Sequence, residues 1–267
     1  MPDEKVILRF EHVTVAFDEV TALNDVSFAV REGETRIILG AAGSGKTVVL
    51  KTAMGLVCAT SGQVFLFDED ITRLPEQALF DRRGKMGMAF QESALFDSLT
   101  IEQNVAYPLL NRKSMKVDRA EVRPRVEEAL NFVELGQTLK QFPSELSGGM
   151  RRRAAIARAV VTKPPLLLYD SPTAGLDPIT AHTIMTLIIK ERDVDNTTAL
   201  VVTHRYQDGN LAANFRYNPD NGELVPASET RTVFMVMQEG RLVFEGEQAE
   251  LEAATDPYIG KFVKHTD

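Results

Sequence analysis

The nine residues Leu39–Thr47, LGAAGSGKT, restrict this chain more than any other stretch. They join a short apolar run, Arg36-Ile37-Ile38-Leu39, which reads as a buried strand, to Val48–Met54, which reads as a helix. Gly40-x-x-x-x-Gly45-Lys46-Thr47 between a strand and a helix is the pattern of a phosphate-binding loop. Glycines at 40, 43 and 45 let the backbone fold so that successive N–H groups point at an anion. Ala41, Ala42, Ser44 and Val48 complete that cradle, and the helix opening beside Gly45 adds its positive end. Lys46 carries a mobile charge to the outer phosphates, and the Thr47 hydroxyl is placed to ligate Mg²⁺. A nucleoside triphosphate is the ligand these residues predict.

A second run narrows the choice. Leu166-Leu167-Leu168-Tyr169-Asp170 reads as a buried strand that delivers a carboxylate at its end, where ligands bind in open α/β sheets. Asp170 is expected to hold the Mg²⁺ shell opposite Thr47. Around these runs, strands at 35–39, Met86–Phe90, 166–170 and Thr198–Thr203 alternate with helical spacing, as at Pro178–Glu191. That alternation predicts an α/β fold with a mostly parallel sheet and right-handed crossovers.

Two departures flank this core. Residues 6–30 alternate apolar and polar side chains and predict an N-terminal antiparallel β part with turns at Asp18–Glu19 and Asn24–Asp25. Between Glu92 and Lys163 only helical spacing appears, over Ile101–Leu110, Asp118–Leu135 and Gly148–Val161, which predicts an inserted α-helical subdomain. The expected division is a core of 1–91 and 164–250, a helical subdomain of 92–163 and a helical tail of 251–267, interrupted at Pro257. Tyr206–Thr232 is polar and rich in Asn, Asp and Gly, with a small hairpin expected around Asn218–Gly222 and a firmer one around Glu239-Gly240.

Composition limits the partners. With 38 acidic against 30 basic residues the chain carries a formal charge of −8, which argues against nucleic acid as a partner. The single cysteine, Cys58, excludes an internal disulfide, fits a reducing compartment, and is expected as a small buried side chain in the helix after the phosphate loop. MPDEKVILRF has no apolar signal segment, and no apolar run approaches the roughly 20 residues that cross a bilayer. Arg151–Arg153 reads as a solvated helix face.

The third motif is the most specific. Leu146-Ser147-Gly148-Gly149-Met150 opens the helix that starts near Arg151, with Ser147 as its N-cap and N–H groups exposed at the helix start as a second anion site. Here the chain resembles the ATP-binding-cassette ATPases, whose signature LSGGQ appears as LSGGM, and the resemblance covers roughly residues 6–250. It implies a homodimer in which Ser147, Gly148, Gly149 and Met150 of one cassette close on the ATP of the other. It also implies stacking of Phe17 on adenine, a role for Gln91 at the Mg²⁺ or its water, and a place between cassettes for Ala174-Gly175-Leu176-Asp177. His204 then contacts the γ-phosphate. Where such ATPases have a glutamate to polarise the attacking water, this chain has Ser171. A serine hydroxyl can hold a water but is a poor base, and loss of a general base typically costs about 10²–10⁴ in rate.

Ser93–Leu109 together with LSGGMRRR looks like the ATPases of Mla/MCE-type phospholipid transporters. That likeness implies a dimeric MlaE-like integral-membrane permease, an MCE-domain lipid-binding protein, and a place on the cytoplasmic face of the inner membrane. The alternatives are an ATP-gated dimerisation switch with little hydrolysis, and the ATPase of an importer for another substrate. A soluble ATP-binding-cassette protein acting on nucleic acid is disfavoured, because one phosphate loop and one signature are present.

Overall fold

The computed structural model describes residues 5–111 and 117–263. The ends of the expected segments at 1–4 and 264–267, and residues 112–116 within the helical insertion, lie outside the described residues. The alternating N-terminal run forms two long strands, β1 (Val6–Phe17) and β2 (Val20–Arg31), joined by a turn at Asp18–Glu19. The expected second turn at Asn24–Asp25 does not form. Asp25 adopts φ +54° and the ladder slips by one residue between Val13↔Val26 and Val15↔Leu23, so the strand bulges without reversing. The Asn24 N–H, released from the ladder, donates to Gly240 O at 2.8 Å.

After β3 (Thr35–Gly40) and α1 (Lys46–Ala53), β4 (Ser61–Leu66) and β5 (Glu69–Asp70) return to the antiparallel sheet, ordered β2-β1-β4-β5. Helix α1 ends at Ala53, three residues before Leu56, because Gly55 takes φ +64° and Arg83 donates to the carbonyls of Met54 and Gly55 at 2.8 and 3.1 Å. Cys58 consequently lies in the following loop and is exposed, which corrects the expectation of a buried helical cysteine.

Helix α2 (Glu76–Arg83) and β6 (Met86–Ala89) lead into the helical insertion of α3 (Ile101–Asn111), α4 (Arg119–Phe132) and α5 (Gly148–Val160). The core resumes with β7 (Leu166–Asp170), α6 (Pro178–Asp195) and β8 (Thr198–Val202). The polar segment first forms α7 (Tyr206–Asn214) and then the expected hairpin, β9 (Phe215–Asn218) and β10 (Glu223–Pro226). A Cβ on Gly209 of α7 would meet the Phe234 ring at 2.4 Å, so the missing side chain lets the helix pack on the sheet. β11 (Thr232–Gln238) and β12 (Arg241–Gly246) follow, then α8 (Gln248–Ala253) and α9 (Pro257–Val263), with Pro257 as the first residue of the second tail helix.

The main sheet is ordered β12-β11-β3-β8-β7-β6, parallel except for the edge strand β12. Successive residues of its strands serve opposite faces. Ile37, Leu39, Tyr169 and Val201 join the core under the helical insertion and α6. Ile38, Leu168, Leu200 and Val202 join a second core against α1 and the antiparallel sheet. Burial on both faces is why these strands are apolar throughout instead of alternating.

Candidate functional site

Adjacent parallel strands end at one edge of the main sheet, and each extends into a segment singled out in the sequence. β3 runs into the phosphate loop and β7 ends on Asp170. β8 is followed by Thr203 and His204, and β6 is followed by Gln91. Register aligns them: Ile38 and Asp170 both pair with Val202, and Ala89 pairs with Tyr169. Loops from the C-terminal ends of parallel strands converge in this way at ligand sites.

Within the loop, Gly45 takes φ +101°, and a Cβ there would lie 2.5 Å from Ala22 O of β2. At Gly40 a side chain would strike Ser44 Oγ and Met237 O at 2.5 and 2.6 Å, whereas beside Gly43, at φ +78°, space is open. Lys46 is buried, and its ammonium donates to Gly40 O and Ala41 O, both at 2.7 Å. Burial pushes the Lys46 pKa down, partly offset by Asp170. Thr47 Oγ1 donates to Asp170 Oδ1 at 3.3 Å, which joins two of the three residues expected at the metal; Gln91 is not part of this contact. A hydroxyl and a carboxylate are hard oxygen donors and suit Mg²⁺, and the glycine-lined cradle with its lysine suits a polyphosphate.

A groove of about 320 Å³ runs along Gly43–Val48 and is walled by Val20–Ala22 and by Glu239-Gly240. Phe17 does not line it. That ring lies at the tip of β1, paired with Val20 and half exposed. Gln91 and His204 are exposed at the sheet edge. Ser171 sits in the left-handed region at φ +48°, with its N–H donating to Val202 O at 2.8 Å. Its hydroxyl makes a long contact of 3.4 Å to Asp170 Oδ1. Asp177 caps α6, accepting from the Thr180 N–H and hydroxyl at 3.0 and 2.6 Å, and those bonds hold its carboxyl below the usual range.

The signature is not brought to the phosphate loop of its own chain: Ser147–Met150 contribute nothing to the groove wall. Ser147 caps α5 by accepting from Met150 N–H at 3.2 Å, which leaves its hydroxyl proton free to donate. A Cβ on Gly149 would meet Thr180 Cγ2 at 2.6 Å, whereas Gly148 opens outward. The three arginines that follow are not a solvated face. Arg151 donates to Leu146 O and Arg153 to Val133 O, while Arg152 Nη1 reaches the carbonyls of Ser171, Pro172 and Ala174.

Sequence inspection missed three contributors besides the groove walls. Tyr258 of α9 accepts from Ala41 N–H at 3.2 Å and donates to Met237 O at 3.0 Å. Asp208 accepts from the hydroxyls of Thr173 and Thr203. Arg152 is the third. Each acts on a loop distant in sequence, and no local motif announces any of them.

A family model described as "ABC transporter" matches residues 23–174. The chain is 37% identical over 232 residues to the methionine import ATP-binding protein MetN of Corynebacterium glutamicum, a match covering 85% of this chain and 64% of that relative. It therefore spans less than two thirds of that relative's length. Among solved structures, the dimeric bacterial ABC transporter cassette MJ0796 matches with a TM-score of 0.76 at 30% identity, over 90% of this chain and 98% of that one. The same cassette in a dimeric post-hydrolysis state, bound to ADP and Pi, matches with a TM-score of 0.76 at 31% identity over the same shares, 90% and 98%.

Proposed function

The chain belongs to the ABC transporter family, and from that premise we propose that it binds and hydrolyses ATP as the motor subunit of a membrane transporter, working as a pair of cassettes. The observation that carries this function is the meeting of Thr47 and Asp170 at the phosphate loop, directly after buried Lys46. Lys46 exchanges its bonds to Gly40 O and Ala41 O for the outer phosphates, and N–H groups of the loop hold the inner ones. Thr47 and Asp170 would hold Mg²⁺, which would supply charge neutralisation to the phosphates. His204 and Ser171, neighbours across the β7–β8 edge, orient the terminal phosphate and the attacking water. Phosphoryl transfer needs mainly positioning and charge stabilisation, so a serine in place of the usual base slows turnover without abolishing it.

Pairing follows from the signature. The outward-facing Gly148 and the free Ser147 donor form an anion site that its own phosphate loop does not use, and a second copy supplies the missing half. The related cassette MJ0796 is described as dimeric. Among the described residues no helix is long and apolar enough to cross a membrane, so a separate permease does the spanning and places the cassette at the cytoplasmic face. An apolar groove of about 460 Å³ beside Gln91, lined by Phe80, Phe90, Phe96, Tyr107 and Pro108, suits a helical segment of that permease. Phe80, Phe96 and Tyr107 are each more than 40% exposed there.

Two cargo classes have support. The match to a methionine import protein favours an importer of a small solute. Ser93–Leu109 with LSGGMRRR supports phospholipid transport with an MlaE-like permease and an MCE-domain protein. The importer has the stronger support, because its likeness extends over most of the chain. A nucleotide-gated clamp is the second functional reading, favoured by Ser171 at the base position.

The test is ATP turnover by the protein with its co-purified permease. Slow Mg²⁺-dependent hydrolysis, lost in Lys46→Ala and raised in Ser171→Glu, is expected. Turnover absent until glutamate is introduced would favour the clamp, and turnover unaffected by Lys46→Ala would overturn both. The identity of the permease that co-purifies decides the cargo class.

A further inference from the structure

We propose that Arg152 and Asp208 are positioning residues for ATP turnover, clamping the Ser171–Ala174 loop from two sides so that Ser171 presents a fixed hydroxyl to the site. This rests on the function proposed above and adds to it the residues that replace chemistry with rigidity.

The loop is gripped along its length. Ser171 enters it in the left-handed conformation, with its N–H held by Val202 O. Its carbonyl accepts from Arg152 Nη1 at 3.2 Å, and the same nitrogen lies 2.8 Å from Pro172 O and 3.2 Å from Ala174 O. One guanidinium thus stands where three carbonyls of a tight turn converge. From the other side the Thr173 hydroxyl donates to Asp208 Oδ2 at 2.5 Å, and the Thr203 hydroxyl donates to the same oxygen at 2.7 Å. Thr173, Thr203 and Asp208 are buried to within 1% exposure. That oxygen therefore fixes the separation of two loops, one carrying Ser171 and one carrying His204, in a place where water does not compete. Arg205 lies 3.7 Å from the other carboxylate oxygen, and its N–H donates to Thr203 Oγ1 at 3.1 Å, which ties the residue after His204 into the same network.

The physical need is specific to this chain. A serine cannot take up the proton of the attacking water as a carboxylate does; it only directs that water through a hydrogen bond. Its contribution depends on where the oxygen sits, and a displacement of about 1 Å can cost about 10²-fold in rate. Arg152 lies five positions after Ser147 on α5, so the helix that carries the signature also holds the backbone of Ser171. Docking of the signature onto a partner's nucleotide and placement of Ser171 are then mechanically joined.

The experiment compares Arg152→Gln, Arg152→Lys, Thr173→Val, Thr203→Val and Asp208→Asn with the unmodified protein, in complex with its permease. It reads kcat, KM for ATP, binding of a fluorescent ATP analogue, and unfolding in urea. Expected is a fall in kcat of about tenfold or more for Arg152→Gln with KM and nucleotide affinity within about twofold, and partial recovery in Arg152→Lys. Thr173→Val and Thr203→Val combined should cost less than the sum of their separate effects, since both act through one carboxylate. An unchanged kcat in folded Arg152→Gln and Thr173→Val would overturn the proposal. So would loss of nucleotide affinity with kcat intact. Should the unmodified protein hydrolyse nothing, the motor function fails separately, and the same substitutions are placed on Ser171→Glu. There, a lowered kcat supports the positioning of this loop by Arg152 and Asp208, and an unchanged one overturns it.

Discussion

The two glycine-rich anion loops of this chain, Gly40–Gly45 and Gly148-Gly149, both place glycines at a helix start but have opposite situations. The phosphate loop is held at both ends and from the tail, and is open only beside Gly43. Gly40 and Gly45 press on carbonyls of Met237 and Ala22, Lys46 is tied to its own loop, and Tyr258 holds Ala41 from the tail. The signature is anchored on one side only, where Gly149 packs on Thr180, and a Cβ on Gly148 would meet only the tip of Arg151 at 4.0 Å. A loop that must present N–H groups at fixed positions is built into the sheet. The loop proposed to meet a second copy is left half free at a helix start.

Substitutions that add a single methyl group, or remove a single hydroxyl, measure this contrast. Gly45→Ala should have the largest effect, since it places a side chain at φ +101° and 2.5 Å from a backbone oxygen. Destabilisation of about 3 kcal/mol in urea unfolding is expected, combining left-handed strain with overpacking. Gly149→Ala adds a clash with Thr180 Cγ2 but no positive φ, and gains helix propensity, so a loss of about 1 kcal/mol is expected. If it equalled Gly45→Ala, the signature would be as locked as the phosphate loop. Tyr258→Phe deletes one hydroxyl that bonds Ala41 and Met237; a cost of about 1 kcal/mol and weaker nucleotide binding are expected in unfolding and titration. An unchanged protein would mean that the tail merely rests on the loop. Gly148→Ala should leave stability within about 0.5 kcal/mol while impairing ATP-dependent dimerisation seen by sedimentation, because the added methyl faces the partner.

Much of this site was legible before the fold. Gly40–Thr47 lie within one turn-and-helix start, so their spacing alone sets the backbone that cradles phosphate. Asp170 was readable because a strand buried on both faces must be apolar until it emerges. The misjudged residues share a cause. Arg151–Arg153 looked solvated because their acceptors are main-chain carbonyls, which leave no mark in sequence. Asp208 stood in a polar stretch rich in Asn, Asp and Gly where no helix was expected, although Gly209 serves close packing of α7 on Phe234. Cys58 was assigned to a helix that Arg83, distant in sequence, shortens by capping Met54 and Gly55.

By itself, then, the sequence determined the α/β class, the phosphate loop and the carboxylate of Asp170 at the end of an apolar strand, since each depends on the identity and spacing of neighbouring residues; that Ser171 stands where similar ATPases carry a glutamate is what the family resemblance implies. Only the tertiary structure decided that Phe17 stands outside the groove wall, that Tyr258 reaches Ala41, and that Arg152 and Asp208 grip the Ser171 loop. Those contacts join backbone groups and side chains far apart along the chain. Their partners are selected by which faces of helix and sheet are buried together, a property of the packed whole that no short window of residues contains.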